Sequence, residues 1–481
     1  MDYGIVLRVL GFLLIIEAGA MLFPFGVAVY YGGSDIMAFS VTILITAIAG
    51  VVGLRYKSNG AAVRFREAFM IVSLGWLLAS VFGSLPFILA GTLPSVVDAF
   101  FETVSGFTTT GATVITNIEI QPQGILFWRS FTQWLGGMGI IVFTLAVLPA
   151  LGLGTMRIFQ AESPGPSPSK LVPRVDQMAK LLYGIYIGLT LLMIVALKFS
   201  GLSWFDSFTH TFSTLGTGGF STRNASVAAF SNPGTEWIIT LFIFISGVNF
   251  SLYYGLIHRK TGVFLGDDEF RFYLGTIMVS FLVIVINIAL LYQWPLVKVV
   301  RDSLFQVVSM VTGTGFITVD YEKWPELSKM VLFLLMFMGG CAGSTAGAIK
   351  QVRVLVLLKA VKRKLTRLLH PKAVIPIVLG NVPVAEETVD DILVFTLFYL
   401  LIFVGASMIL LTQGLDMLSS SSAVAATLGN VGPGFGLVGP TSNFAGLTTL
   451  SKILLSVCML LGRLEIYPIV ALFMPNFWRK S

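Results

Sequence analysis

Ten apolar runs, each long enough to cross a bilayer as a helix, take up most of the chain. They lie near 4–31, 36–54, 68–91, 124–151, 180–200, 235–257, 271–293, 328–358, 390–412 and 447–474. A helix needs about 20 residues to cross the hydrocarbon layer. Backbone in that layer must satisfy its own hydrogen bonds, so the predicted class is an all-α polytopic membrane protein. Composition agrees: 56% of the 481 residues are hydrophobic and 11% are charged, against about 25% charged in soluble domains. The first run, "GIVLRVLGFLLIIEAGAMLFPFGVAVY", is too long for a signal peptide and lacks a small-residue cleavage site. It reads as a retained span.

Charge orients the spans. The segments around 55–66, 157–180, 259–271 and 350–372, with the C-terminus, hold 21 of the 31 Lys and Arg. Such segments stay on the cytoplasmic side. Two spans precede the first of them, which places the N-terminus inside as well. These loops account for the formal net charge of +7; no basic stripe with interleaved aromatics points to nucleic acid. Cys341 and Cys458 lie in apolar segments and the histidines are scattered at 210, 258 and 370. That pattern speaks against a disulfide, zinc, iron–sulfur or haem site. An enzyme needs clustered acids, histidines or a cofactor motif, and none is present.

The opposite, outer side contains four polar stretches: "VSGFTTTGATVITN", "STLGTGGFST", "MVTGTGFITVD" and "TLGNVGPGFG". Each follows a segment of roughly a dozen residues, too short to cross. Asp98, Asp206, Asp302 and Ser419 precede Gly111, Gly218, Gly315 and Gly432 by 13, 12, 13 and 13 residues. Asp and Ser at these places read as N-caps of four half-helices. The four glycines are 107, 97 and 117 residues apart. So even a period predicts fourfold internal repetition. The plan is an N-terminal two-helix region (1–60) and four M1–pore helix–M2 repeats: 61–155, 156–262, 263–372 and 373–481.

Non-helical backbone survives at membrane depth only when buried in protein or lining water. Four such loops on one side of one chain surround one pseudo-fourfold axis. A dehydrated cation needs oxygens in place of its hydration shell, and stacked carbonyls supply them. Glycine lets the backbone take the left-handed turns this requires. A half-helix ending at each loop turns its negative end toward the axis. Helix packing through small residues is the competing explanation for any single stretch; it does not explain four equivalent ones.

The loops "SGFTTTGAT", "STLGTGGFST", "TGTGFITVDY" and "LGNVGPGFG", with "GGCAGSTAGAIK" and "LLGRLEIYP", resemble those of the Trk/Ktr/HKT superfamily of potassium transport proteins. The two extra N-terminal helices are similar to its TrkH-type membrane subunit. The resemblance covers essentially the whole chain and implies a K⁺ channel-like fold. It makes Gly111, Gly218, Gly315 and Gly432 the selectivity glycines. Flanking carbonyls are then expected from Thr108, Thr109, Thr110, Leu215, Gly216, Thr217, Thr312, Gly313, Thr314, Gly429, Asn430 and Val431. In the family a serine at the first glycine place goes with sodium permeation, so Gly111 implies potassium. The fourth loop departs most, with Asn430 and Pro433.

The run 328–358 is interrupted by "GGCAGSTAG", and each interior glycine costs a helix about 1 kcal/mol relative to alanine. The helix is predicted to break there. In the family the equivalent segment is an intramembrane gating loop, which makes Gly339, Gly340, Gly343, Ser344, Thr345 and Gly347 gate candidates. Arg463 lies deep in the last run, where a charge faces a cavity or a partner. The resemblance sets it beneath the filter, beside that loop; the competing explanation is a pair with Glu465. Glu17, also within a span, reads as structural or interfacial. The tract "KAVKRKLTRLLHPK" suits lipid headgroups or a docking surface. This chain has no nucleotide fingerprint, since "GTGGF" follows a half-helix rather than a strand.

The resemblance further implies a homodimer in a bacterial inner membrane. It also implies a cytosolic, ring-forming RCK-type partner that binds NAD(H), ATP and ADP. The chain itself is expected to hold no cofactor, with K⁺ as its cargo. The expected function is selective, gated potassium uptake. The alternatives are a sodium-permeating relative and an ion-coupled secondary symporter, the latter marked by two inverted halves rather than four same-direction repeats.

Overall fold

The computed structural model describes residues 1–57, 63–139, 175–257, 262–380 and 382–478. The predicted cytoplasmic Arg157, Lys170, Arg174, Arg259, Lys260, Arg479 and Lys480 fall outside these residues, as does the end of the 124–151 run. The N-terminal region is α1 (Tyr3–Ala20), α2 (Leu22–Tyr31) and α3 (Ile36–Leu54). Repeat 1 is α4 (Phe65–Leu89), α5 (Val96–Phe107) and α6 (Gln123–Gly137). Repeat 2 is α7 (Val175–Phe199), α8 (Trp204–Leu215), α9 (Pro233–Ser246) and α10 (Phe250–Ile257). Repeat 3 is α11 (Asp268–Leu291), α12 (Leu296–Val311), α13 (Glu326–Met338) and α14 (Gln351–Leu369). Repeat 4 is α15 (Glu386–Thr412), α16 (Met417–Leu428), α17 (Thr449–Arg463) and α18 (Tyr467–Phe473). The fold is thus four M1–pore helix–M2 units preceded by extra transmembrane helices.

The units close into a ring. The second span of each repeat packs on the short helix of the next: α6 on α8, α9 on α12, α13 on α16, and α17 back on α5. The extra helices lie outside this ring. There α1 meets α3 so closely that a Cβ on Gly53 would sit 2.7 Å from the Gly11 Cα. Small residues are what allow such backbone contact in a bilayer.

The half-helices begin differently from expectation. Ser95 caps α5 and Ser203 caps α8; their hydroxyls accept the N–H of Asp98 and Asp206. Asp416 caps α16 by accepting the Ser419 N–H. Asp98, Asp206 and Ser419 are therefore third residues of the first turn, and the cap stands three residues earlier, as in a capping box. The helix α12 has 16 residues where the other three have 12. One added turn at its start leaves Asp302 inside the helix, beside Arg301.

The second spans hold a further difference. A break was expected in repeat 3, and the second spans of repeats 2 and 4 are bent as well. The pair α9–α10 bends by 96° and α17–α18 by 117°. The helix α6 ends at Gly137. Repeat 3 replaces the bend with the loop 339–350. Pro468 and the left-handed Glu465 and Ile466 (φ 53° and 68°) turn the last span; Gly247 and the Asn249 cap turn the second.

Candidate functional site

Each half-helix ends in the same turn. In α5 the N–H of Thr109 bonds the Gly106 carbonyl and that of Thr110 reaches back to Ser105. The equivalents are Thr217–Thr214 and Gly218–Ser213, Gly313–Met310 and Thr314–Ser309, and Asn430–Thr427 and Val431–Ala426. A bond across five residues after a left-handed residue is the Schellman pattern that closes helix C-termini. The left-handed residues are Thr109 (φ 56°), Thr217 (52°), Gly313 (73°) and Asn430 (53°). A second left-handed set follows two residues on: Gly111 (83°), Gly219 (74°), Gly315 (73°) and Gly432 (101°).

These last four glycines meet their neighbours in cyclic order. A Cβ on Gly111 would lie 2.0 Å from the Gly218 carbonyl oxygen, and one on Gly219 2.0 Å from that of Thr314. On Gly315 it would lie 1.9 Å from the Val431 oxygen, and on Gly432 2.6 Å from that of Thr110. The third-place carbonyls of four loops therefore press on the fourth-place glycines of their neighbours around a closed ring. All four glycines also line one recess. Among the described residues no cluster of three or more His, Cys, Asp or Glu is placed to hold a metal ion; the ring offers backbone and hydroxyl oxygens instead.

In the second loop the register differs from the one expected. Leu215 is the last residue of α8 and fully buried, the counterpart of Phe107, Val311 and Leu428. The loop positions are Gly216, Thr217, Gly218 and Gly219, so Gly219 rather than Gly218 matches Gly111. The two glycines are adjacent, and the left-handed φ falls on the second. Asp206 then precedes its glycine by 13 residues, as in the other three repeats.

Buried polar side chains brace the ring from behind, and the sequence reading did not single them out. Glu102, His210 and Gln306 each stand five residues before a half-helix end. Glu102 accepts from the Thr113 hydroxyl and the Val114 N–H, both at 2.9 Å. His210 Nε2 shares a 2.9 Å hydrogen bond with Ser221 Oγ. Gln306 donates to Thr318 at 3.4 Å. In repeat 4 the neighbouring Ser422 takes the task, bonding both the N–H and the carbonyl of Phe435. Each bond straps the strand leaving the ring to its own half-helix. A polar residue at fixed offset in a short apolar helix was the available signal.

Further braces cross between repeats. Arg129 Nε lies 2.6 Å from Glu102 Oε1, and its Nη1 donates to the Ser221 carbonyl at 2.8 Å. One turn on, Gln133 donates to the Gly218 carbonyl (2.6 Å) and accepts the Phe220 N–H (3.0 Å). At the fourth corner Asn430 donates to the Thr110 hydroxyl (2.9 Å) and the Met459 carbonyl (3.0 Å).

The loop 339–350 lies against the first-place side of the ring, where a Cβ on Gly347 would sit 2.6 Å from the Gly429 carbonyl. It pairs with the bend of repeat 2: Cys341 N–H to Gly247 O (2.8 Å), Phe250 N–H to Gly343 O (3.0 Å) and the Thr345 hydroxyl to Ser246 O (3.3 Å). Gly339 and Gly343 take left-handed φ values of 72° and 71°, while Gly340 has the Gly247 carbonyl 2.8 Å from its Cβ position. Ser344 bonds back within the loop, to the Cys341 carbonyl. Arg463 does not pair with Glu465. Its guanidinium donates to the Thr345 carbonyl (2.9 Å) and to the Gly136 and Gly137 carbonyls at the end of α6. Glu465 pairs with Arg353 on α14. Arg463 thus neutralises a helix C-terminus while tying the loop to the first repeat. Glu17 is fully buried among α1 and its neighbours.

Comparison with known proteins places this arrangement. A family model described as "TrkH: Cation transport protein" matches residues 35–480. The chain is 39% identical over 488 residues to a Trk system potassium uptake protein TrkH of Salmonella typhimurium, covering 100% of both. It is 36% identical over 480 residues to the Trk system potassium uptake protein TrkG of Escherichia coli, covering 99% of both. Among solved structures it is similar to the potassium transporter TrkH from Vibrio parahaemolyticus, with a TM-score of 0.90, 37% identity and 100% coverage of both chains.

Proposed function

Since this chain belongs to the TrkH family of cation transport proteins, we propose that it takes potassium up across the membrane through the ring of four loops. It is a transporter and not an enzyme. The observation that carries this reading is the cyclic contact of Gly111, Gly219, Gly315 and Gly432 with the carbonyls of Gly218, Thr314, Val431 and Thr110. In this reading the filter is Thr108–Gly111, Gly216–Gly219, Thr312–Gly315 and Gly429–Gly432. Carbonyls fixed by Schellman turns replace the hydration shell of K⁺ without reorganising. Four half-helix C-termini add negative potential on the same axis.

The gate in this reading is the loop 339–350 together with Arg463. The guanidinium raises the barrier to a cation below the filter, and the loop narrows the same passage. The helix α14 leaves the loop directly, so a load on α14 moves the loop. An RCK-type cytosolic ring that binds NAD(H), ATP or ADP is the proposed source of that load, acting on a homodimer of this chain. The basic residues of α14 and both termini face the cytoplasm, and the repeats divide near residues 60, 155, 262 and 372.

Rb⁺ and Na⁺ flux into liposomes containing the purified chain tests this reading. Rb⁺ flux well above Na⁺ flux, lost in Gly111→Ser, is expected. Unchanged discrimination in that variant would remove the ring as the filter. The dependence of Rb⁺ flux on Na⁺ and H⁺ gradients separates passive from coupled uptake.

A further inference from the structure

The intramembrane loop has a neck, and one carboxylate holds both sides of it. Glu269, in the first turn of α11, is buried. Its Oε1 accepts the N–H of Ala342 at 2.6 Å and the N–H of Val352 at 3.1 Å. Ala342 lies where the chain enters the loop and Val352 where it leaves. Val352 is the second residue of α14, and the cap residue of that helix, Lys350, makes no side-chain cap bond. The first N–H groups of a helix need outside acceptors, and a carboxylate is favoured there by the helix dipole. Glu269 therefore caps α14 from another element while gripping the opposite strand of the loop.

A second contact from the same helix acts alike. Thr276, two turns along α11, donates to the Gln351 side-chain oxygen at 3.3 Å. Gln351 closes the neck itself: its amide nitrogen donates to Gly339 O (2.7 Å) and its N–H to Gly340 O (2.9 Å). The span α11 is straight and continuous, unlike the bent spans that hold the loop elsewhere.

We propose that Glu269 is a positioning residue for ion conduction: it latches the neck of the loop shut, and the loop leaves the pathway only when the Glu269 bonds to Ala342 and Val352 break. This rests on the reading of 339–350 as the gate. A load on α14 acts first on the Val352 bond, because Val352 is at the start of that helix. Two hydrogen bonds from one side-chain oxygen hold both sides of the neck, so the latch biases the loop toward closure.

The test uses full-length protein in liposomes without any partner. Glu269→Leu is expected to raise basal Rb⁺ flux by about tenfold or more, with the Rb⁺/Na⁺ ratio unchanged. Glu269→Gln keeps an acceptor oxygen without the charge and is expected to give a smaller rise. Amide exchange of the 339–352 peptide is expected to quicken in both, a readout that serves if the Leu variant folds poorly. Wild-type flux and exchange in a well-folded Glu269→Gln, or a changed ion ratio, would overturn the latch. A deletion of Gly343–Thr345 separates the two readings. If it raises flux while the Glu269 variants do not, the latch alone fails; if it too leaves flux unchanged, the gate reading fails.

Discussion

Gly219 faces the carbonyl oxygen of Thr314 so closely that a single Cβ would stand 2.0 Å from it. No side chain fits, and its φ of 74° would strain any L-residue other than glycine. Its neighbour Gly218 has no left-handed φ. A Cβ there meets first the amide end of the Gln133 side chain, at 2.3–2.7 Å, a movable group rather than backbone.

The two glycines are therefore expected to separate in experiment. Gly219→Ala should collapse Rb⁺/Na⁺ discrimination, and Gly111→Ala should do the same. Gly218→Ala should keep most of it and lower thermal stability, through the loss of the Gln133 brace, by about 1–2 kcal/mol. Ratios of liposomal flux and melting curves in detergent measure both. Equal selectivity loss in the two variants would contradict the register.

Asn430 gives a second prediction. Its side chain joins the fourth corner to the first by donating to the Thr110 hydroxyl. Asn430→Ala should cost about 1–3 kcal/mol, since it leaves buried acceptors unmatched. Asn430→Gly relieves the left-handed backbone but restores neither bond, so its melting temperature should stay below wild type. Recovery of full stability in the glycine variant would show that backbone strain, not hydrogen bonding, dominates that corner.

The Glu102–Arg129 pair behind the ring is buried on both sides. Removing one partner leaves an uncompensated charge, a loss of about 3–5 kcal/mol. Arg129→Met should thus destabilise strongly, while Glu102→Gln with Arg129→Met should recover part of the loss. Non-additivity in a double-mutant cycle measured by thermal unfolding is the check.

Arg463 spans Thr345, Gly136 and Gly137 with one planar group. Lysine keeps the charge but not the fork geometry. Arg463→Ala should raise basal Rb⁺ flux several-fold, and Arg463→Lys should fall between alanine and wild type. A lysine variant indistinguishable from alanine would assign the effect to the bridging bonds rather than the charge.

Much of this was legible in the sequence because repetition leaves a period. The four short helices, the glycine-bearing loops and the break at Gly339–Gly347 all announce themselves by spacing or composition. The second-loop register was missed although Asp206 to Gly219 carries the same 13-residue interval. The pair Gly218–Gly219 offers two candidates, and only φ tells them apart. Asp98 and Asp206 were read as caps because cap and third residue share the same residue types. The bends after Ser246 and Arg463 were hidden by apolar runs long enough to look continuous. Glu269 escaped notice because it sits at the edge of a span, where acids are common; its meaning comes from two backbone groups 73 and 83 residues away.

One chain writes all four corners, and this has a consequence for the bends in the second spans. A tube made of identical subunits repeats every feature four times, so one arginine becomes four and a cation meets a wall of charge. Here Gly137, Ser246, Met338 and Arg463 end the four upper segments. Among the described residues, the fourth corner carries the arginine and the third carries the loop 339–350. In the gate reading proposed above, the obstruction is then eccentric and present in one copy, and opening it is one molecular event rather than a concerted vote of four.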